Sequence, residues 1–180
     1  MAWSTPLTAV ANAALTAAQW NASVRDNLNE TAPAKATAAG QLFVSTGVNA
    51  IAARAPAGAR VDTSETTASA AFVALTTAGP AVTVTTGTQA LVFVTCQSSN
   101  NTAGGSGVMG FAVSGATTTA AATTDALQNR SSGTGNDVLR ATCLALVPLT
   151  PGSNTFTSQY QTNGVGTATF AQRTIVVFPL

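Results

Sequence analysis

The fold of this chain is decided by residues 138–180, which read VLRATCLALVPLTPGSNTFTSQYQTNGVGTATFAQRTIVVFPL. Three strand-like runs, 138–147, 154–161 and 167–178, are separated by Pro- and Gly-containing breakers, a pattern that predicts strands joined by turns. The chain stops inside an apolar run, and a loose apolar terminus frays. We therefore expect the last strand to be tied into a sheet, within a closed β domain whose C-terminus is buried.

The same alternation of strand-like runs and turn residues begins well upstream. Gly79-Pro80, Thr86-Gly87 and the Gly-rich stretch 100–107 are among the breakers. Nine strands are predicted in all, over residues 60–64, 72–76, 81–85, 89–98, 108–114, 124–130, 138–147, 154–161 and 167–178. Nine short strands at such spacing are typical of an antiparallel sandwich or barrel.

Two of the predicted strands carry continuous apolar runs, Leu91–Val94 and Ile175–Phe178. Such runs are typical of strands that are buried on both faces. One face of a small antiparallel sandwich should be wet. We therefore expect the outer face of one sheet to meet a neighbouring subunit.

The first 60 residues differ from the rest and predict one short helix. Thr16 and Gln19 have the spacing of a capping box, and Leu15 and Trp20 have the spacing of a hydrophobic staple. The helix should run over about 17–29 and end before the next proline.

This helix carries one narrow apolar stripe, formed by Trp20, Val24 and Leu28. A helix of this length is marginal on its own. Its stripe must therefore be buried against the β domain, a sister chain or a larger assembly. Core packing of the two tryptophans, Trp3 and Trp20, is the alternative to a role as anchors in a partner.

The pattern predicts two parts with different tasks. Residues 1–59 form an extended arm, in which an Ala/Thr/Pro linker (31–39) follows the helix. A short strand (41–45) and a second linker-like stretch (52–58) come next. Residues 60–180 form the β domain.

The composition argues against several classes of function. The 180 residues include seven Lys and Arg, six Asp and Glu and no His, for a net charge of +1. Such a chain has no basic field for nucleic acid and no polybasic patch for a membrane surface. No run approaches the roughly 18 apolar residues of a membrane helix. The N-terminus lacks the features of a signal peptide, so we expect the protein to be made and assembled in a cytoplasm.

The sequence contains few residues that could support catalysis or metal binding. Asp62 with Glu65, or Asp125 with Asp137, would be the candidate glycosidase pairs. No aromatic sugar platform accompanies them, so we expect loop or edge carboxylates that pair with arginines. Two Cys without His cannot fill a zinc site. We expect no enzyme activity, no cofactor and no metal, although a trimer would leave room for an axial ion at Asp125.

The two cysteines, Cys96 and Cys143, lie in strand-like runs. In a protein assembled in a cytoplasm they are expected to be reduced and buried as small hydrophobic residues, on neighbouring strands of one sheet.

One stretch of the arm resembles a known class of virion proteins. Residues 15–28, LTAAQWNASVRDNL, resemble a start common among fibre and minor virion proteins of tailed phages, especially actinobacterial phages. There it reads roughly Thr-Ala-Ala-x-Leu-Asn-x-x-Val-Arg-Asp-Asn-Leu, behind an early Trp like Trp3. Residues 40–50, GQLFVSTGVNA, are similar to the segment that follows. This chain differs in having Trp20 where Leu is usual.

A second resemblance covers residues 61–180. The segments that carry it are TTAGP (76–80), VTVTTG (82–87), FAVSGA (111–116), LTPGSNTF (149–156) and RTIVVFPL (173–180). Together they are similar to trimeric jelly-roll heads related to the C1q/TNF-like fold, which cap phage fibres and bacterial surface filaments. The resemblance implies a mostly β fold: an antiparallel jelly-roll head with a short N-terminal helix and an extended attachment arm. It also implies a homotrimer, for which we expect contacts at Phe93, Tyr160, Phe170 and Val177.

The two resemblances imply a non-enzymatic structural protein on the surface of a phage particle. A trimeric head decoration protein or short head fibre is the first expectation. The alternative is a tail fibre or tail-tip knob that acts as a receptor- or carbohydrate-binding module. Phage capsid or tail proteins would be the partners, with a host-surface glycan as a further one. The residues expected to attach the arm to the virion are Trp3, Leu15, Trp20, Val24, Arg25, Asp26 and Leu28.

Overall fold

The structure, a computed structural model, describes residues 3–8 and 10–180. It divides into two compact units, Met1–Ala55, called the arm below, and Pro56–Leu180, called the head. The first strand of the head begins at Ala57, inside the stretch that the sequence assigned to the arm.

The arm holds short helices followed by a two-stranded ribbon. Its elements are α1 Ala17–Trp20, a π-helical turn Asn21–Arg25, α2 Asp26–Leu28, α3 Ala32–Lys35, β1 Leu42–Gly47 and β2 Ala50–Arg54. The capping box is confirmed: the Gln19 backbone N–H donates to Thr16 Oγ1 at 3.2 Å, and the Thr16 N–H donates to Gln19 Oε1 at 3.0 Å.

Three local expectations in the arm differ from the structure. The predicted helix is interrupted by the π turn. The predicted linker holds α3, because Pro33 sits in its first turn, where no backbone N–H is needed. The second predicted linker holds most of β2. Its Ala-rich sequence has little intrinsic strand preference, and it becomes a strand by antiparallel pairing with β1.

The head contains nine strands in two antiparallel sheets. They are β3 Ala57–Val61, β4 Glu65–Thr67, β5 Ala81–Thr86, β6 Gln89–Asn100, β7 Ser106–Gly115, β8 Leu127–Arg130, β9 Leu139–Pro148, β10 Gly152–Gln161 and β11 Ala168–Pro179. One sheet has the order β5-β10-β7-β8, called the BG sheet below. The other has the order β3-β11-β6-β9 with β4 also on β11, and is called the HC sheet.

The strand order makes the head a jelly roll. From β5 onward every connection except β7 to β8 crosses from one sheet to the other. The two sheets are therefore interleaved, which is the double-sheet arrangement of a jelly roll. The predicted fold class, a mostly β chain with an antiparallel jelly-roll head and a short N-terminal helix, is confirmed.

The core lies between the two sheets and follows the period-2 pattern of the strands. Alternate residues of β6, such as Val92 and Val94, are fully buried, and Phe156 and Tyr160 face them from the BG sheet. Burying one such side chain contributes about 1.5–3 kcal/mol. The C-terminus is held as expected, since the Leu180 N–H donates to the Gln89 carbonyl at 2.9 Å.

Three predicted strands are wrong or shortened. Of residues 60–64, only 60 and 61 belong to a strand, the end of β3. Residues 72–76 form no strand, and only Val73 makes an isolated bridge, to Tyr160. This stretch belongs to the connection that passes from β4 in the HC sheet to β5 in the BG sheet, so it cannot lie along one ladder. Residues 124–130 begin with a 3₁₀ turn, Thr123–Asp125, and only Leu127–Arg130 pairs as a strand.

A β-bulge in β11 places an arginine in the core. The register against β6 shifts between Ala171 and Thr174, and Gln172 has φ of 50°. The extra residue turns Arg173 inward, where it is fully buried. Its Nη2 donates to Thr63 Oγ1 at 2.8 Å and its Nη1 donates to the Thr77 carbonyl at 3.2 Å. Arg173 thus ties the long connection from β3 to β5 to the sheet.

Candidate assembly surfaces

The outer face of the HC sheet carries two adjacent rows of large apolar side chains, called the apolar face below. Residues that lie opposite each other in the register share a face of the sheet. The first row contains Val176, Phe93 and Leu144, and the second contains Phe178, Leu91 and Leu146.

The apolar face is only partly covered within one chain. Leu144 and Leu146 are each 55 % exposed. The Phe93 and Phe178 rings meet edge to face at 5.8 Å, and both remain partly exposed. The other side of the same strands forms the core, so these strands are apolar on both faces. A contiguous apolar patch of this kind on a soluble domain marks an interaction surface.

The outer face of the BG sheet has different chemistry. Thr83, Thr155 and Ser114 form one row across three strands, and the hydroxyls of Thr83 and Thr155 are 2.8 Å apart. Rows of hydroxyls remain well hydrated without a partner. Of the two outer faces, the BG face therefore suits solvent and the HC face suits a protein.

The outer face of the HC sheet changes from apolar to polar along the strands. The row beyond Val176 contains Thr174, Thr95 and Thr142, and beyond it Gln97 lies opposite Arg140. The apolar rows therefore lie at the end of the sheet where β11 ends. The head begins at the same end, because Ala57 of β3 pairs with Val177.

Of the four expected trimer contacts, only Phe93 lies on this face. Tyr160, Phe170 and Val177 are fully buried in the core of the single chain, so their prediction as surface contacts is wrong. Val177 has the opposite parity to its neighbours Val176 and Phe178, and parity decides the face in a strand.

Leu91, Val176 and Phe178 lie in the two apolar runs that were expected to be buried on both faces, but they were not named as contacts. Leu144 and Leu146 were missed altogether. The sequence of β9 contained a signal for the exposure of Leu144 and Leu146. Arg140 and Thr142 mark its solvent-facing parity, and Leu144 and Leu146 continue that parity. Large apolar residues in register with a charged one predict an exposed apolar patch.

The helical part of the arm is inverted, with polar residues inside. Asn27 and Glu30 are buried. Trp20 and Leu28 are 56 % and 58 % exposed. A buried polar group beside exposed large apolar groups is the reverse of an ordinary surface helix. This side of the arm, with Trp20 and Leu28, therefore has the composition of an interface.

Asn27 holds the N-terminal segment against the helix. Its Oδ1 accepts hydrogen bonds from the Ser4 N–H at 2.8 Å and from Ser4 Oγ at 3.1 Å. Its Nδ2 donates to the carbonyls of Ser4 and Ser23, both at 3.1 Å. Further along, the Leu7 N–H donates to Ser23 Oγ at 3.0 Å. The segment thus runs antiparallel to the helix, and sequence reasoning did not identify this role of Asn27.

The predicted anchors Trp3 and Trp20 belong to different elements of the arm. The Trp3 N–H donates to the Asn49 carbonyl at 2.7 Å, so Trp3 sits beside the turn of the ribbon. There it lines a cavity of about 300 Å³ with Glu30 and Ile51. Trp20 lies at the start of the helical segment.

The remaining predicted attachment residues are also placed by the structure. Leu15 is about half exposed and Val24 is partly buried. Arg25 and Asp26 pair with each other, with Nη2 and Oδ1 2.8 Å apart. Their role in attachment stays a prediction.

The acidic residues have local partners. Asp62 pairs with Arg60, as expected. Glu65 accepts the Thr77 N–H, at 3.0 and 2.9 Å to its two oxygens, and Asp137 accepts the Ser132 N–H. These hydrogen bonds lower the pKa of both carboxyls. Within residues 3–8 and 10–180, no three His, Cys, Asp or Glu residues are grouped to hold a metal ion.

The two cysteines lie on β6 and β9 and are not bonded to each other. Cys96 is opposite Ala141 and Cys143 is opposite Val94, so both are on the inner face of the HC sheet. Cys96 is buried, as predicted, and burial raises its pKa to about 12. Cys143 is only half-buried, which differs from the expectation.

Comparison with known proteins gives likeness in fold only. No protein family matches the chain, and no curated protein is similar to it. A chain in the structure of infectious bursal disease virus Gx strain is similar with 11 % identity and a TM-score of 0.43, over 74 % of this chain and 35 % of that one. This chain thus spans about a third of its length. Eiger TNF from S. frugiperda is similar with 12 % identity and a TM-score of 0.36, over 66 % of this chain and 92 % of that one.

Membrane insertion through a helix has no candidate segment. In the described part of the chain, no helix has both the length and the apolar character to cross a bilayer.

Proposed function

We propose that this chain is a non-enzymatic structural protein of a bacteriophage particle. In this proposal it is a trimeric decoration protein or short fibre of the head, assembled in the host cytoplasm and displayed on the particle surface. The observation that carries the proposal is the inverted helix of the arm, with Trp20 and Leu28 exposed and Asn27 buried. The resemblance of residues 15–28 to the start of phage fibre and minor virion proteins supports it.

The head supplies the trimer contact in this proposal. The apolar face is the part of its surface that gains most from leaving water, since each large apolar side chain contributes about 1.5–3 kcal/mol on full burial. The head contains four arginines and four acidic residues, which cancel. Copies of the head therefore meet without net repulsion.

The arm supplies the contact with the virion. Its exposed large apolar side chains include Trp20 and Leu28 on the helical segment, and Leu7, Val10 and Leu15, which line one cavity. Three arms on one trimer would bind with avidity if the virion site has matching symmetry.

Two measurements test the proposal. Antibody labelling of intact particles should place the head on the capsid surface, and light scattering of the purified full chain should give the mass of a trimer. Particles that lack the protein, or a chain that is monomeric at micromolar concentration, would contradict it.

A second candidate function is a tail fibre or tail-tip knob that binds a host-surface glycan. The observation that favours it is the uncharged hydroxyl-rich outer face of the BG sheet, with Thr83, Thr155 and Ser114 in one row. A glycan array with the full chain, together with labelling at the tail instead of the head, would support it. Turnover of host wall material would instead indicate an enzyme.

A further inference from the structure

The β1–β2 ribbon of the arm is a sheet of only two strands. In the described part of the chain, β1 pairs only with β2 and β2 pairs only with β1. A two-stranded ribbon is at best marginally stable in water, and three or more strands are needed for independent stability. The ribbon therefore needs further support.

β1 is the less supported of the two strands. Leu42 and Phe43 point to opposite faces and are 39 % and 41 % exposed. All residues of β1 except Val44 are exposed, whereas all residues of β2 are partly buried. β1 therefore has a free edge, and each of its two faces carries a large apolar side chain that is about 40 % exposed.

The ribbon has few of the devices that protect natural sheet edges, and its one charged residue is Arg54 at the end of β2. Edge strands are usually blunted by charged residues or proline. No charged residue lies between Lys35 and Arg54, and no proline lies between Pro33 and Pro56. A strand of this composition pairs readily with another strand of low charge.

A second copy of the chain is the partner that the connectivity favours. Only Ala55 and Pro56 separate β2 from β3 of the head, a link of about 10 Å at most. If heads form a trimer through the apolar face, the three ribbons are held at a high effective concentration. This step rests on the proposed function.

We infer that the three ribbons of a trimer join edge to edge, with β1 of one copy beside β2 of the next. Because β1 and β2 are antiparallel, every neighbouring pair in such a ring is antiparallel as well. A threefold arrangement closes after six strands and leaves no free edge. The ribbon is thus a second self-assembly surface, made by main-chain hydrogen bonds.

Backbone amide exchange on the full chain tests this inference. In a lone ribbon, alternate amides of 42–47 point away from the partner strand and exchange freely. In the ring, consecutive amides of β1 are all protected, with exchange slowed roughly tenfold or more. Light scattering on the same sample separates the two proposals. A monomer contradicts the proposed trimer, whereas a trimer with freely exchanging alternate amides contradicts the ring alone.

Two adjacent proline variants give an independent test. Successive N–H groups of a strand point to opposite edges, so one of Phe43→Pro and Val44→Pro removes only an outward N–H. If the ribbon is unpaired outside its own chain, it tolerates the variant that removes only the outward N–H. If the ribbons form a ring, both proline variants lower the stability of the trimer. Phe43→Ala and Val44→Ala are the controls for loss of the side chain. If one proline variant matches its alanine control, or if protection appears only on intact particles, the inference of pairing between copies is wrong.

Discussion

Arg173 shows how one residue can organise a connection. It is fully buried, donates to Thr63 Oγ1 and to the Thr77 carbonyl, and its guanidinium carbon lies 5.4 Å from the centre of the Tyr160 ring. Glu65 is the acidic group near this site, and the charge of Arg173 contributes to its lowered pKa. Arg173 is therefore a buried charge whose hydrogen-bond acceptors lie in the connection between β3 and β5.

Replacing Arg173 should destabilise the head. Arg173→Met keeps much of the volume but leaves the Thr77 carbonyl and the Thr63 hydroxyl without their donor. We expect a loss of about 2–4 kcal/mol in the free energy of unfolding, measured by urea denaturation of the full chain. Arg140→Met is the matched control, because Arg140 is exposed, and it should change stability by less than about 0.5 kcal/mol. Equal stability of the two variants would contradict the role of Arg173.

Asn27 has a comparable role in the arm. Asn27→Ala removes the three hydrogen bonds between Asn27 and Ser4, leaves the bond from Ser4 Oγ to the Ala22 carbonyl, and should loosen the segment 3–8. We expect faster amide exchange and faster proteolysis of this segment, with the melting of the head unchanged. Asn29→Ala is the control, because Asn29 lies only two residues further along the chain and is exposed. If both variants leave the segment protected, Asn27 is not what holds it.

At the scale of elements, the helical segment of the arm and the HC sheet each present an apolar surface. The helical segment exposes Trp20, whereas its polar residue Asn27 and the following Glu30 are buried. The sheet exposes Leu144 because the second half of β9, residues 143–148, is apolar on both parities. Neither surface is needed to complete the core of its own unit, so each can be changed without unfolding that unit.

Trp20→Ala should weaken attachment to the particle. Burial of one such aromatic residue at an interface contributes on the order of 2–4 kcal/mol, so occupancy on particles should fall while the head stays folded and trimeric. Val48→Ala, in the exposed turn of the ribbon, is the control. Wild-type incorporation together with early melting of the head would show that Trp20 is a core residue instead.

Leu144→Glu should dissociate the trimer. It places a charge on the apolar face, on the edge strand β9 and opposite Phe93, and leaves the core untouched because the side chain already points outward. Light scattering should show a folded monomer with an unchanged circular dichroism spectrum. Thr83→Glu makes a similar change on the outer face of the BG sheet and should remain trimeric. A trimeric Leu144→Glu variant together with a monomeric Thr83→Glu variant would place the contact on the BG sheet.

The whole molecule should respond to pH mainly on the acid side. The pKa values of Glu65 and Asp137 are lowered in the fold by hydrogen bonds from Thr77 and Ser132. A lowered folded pKa contributes stability that is present above the unfolded carboxyl value of about 4 and is lost as pH falls toward the folded value. The chain contains no His, so its melting temperature should be nearly constant between about pH 5 and 8.

Calorimetry from pH 2 to 8 checks this dependence. Glu65→Gln should reduce the acid-side slope of the melting temperature, whereas Asp62→Asn should not, because the pair of Asp62 with Arg60 is exposed. A strong slope above pH 5 would contradict the expectation.

The sequence by itself determined the elements whose signals are local. The capping box at Thr16 predicted the start of the helix in the arm. The turn pairs and the strand-like runs between them predicted most strands of the head, and the jelly roll followed from their number and from the resemblance. These features were predictable because they depend on propensities and periodicity within a few residues.

Tertiary structure alone decided which face each residue occupies and which strands pair. The bulge at Gln172 changes the parity of β11, so Arg173 faces the core and Phe170 and Val177 are buried. β2 exists because β1 lies beside it, and the helix of the arm is inverted because Asn27 bonds to Ser4. Each of these outcomes depends on a partner distant in sequence, and the energy of such a contact cannot be read from the local pattern.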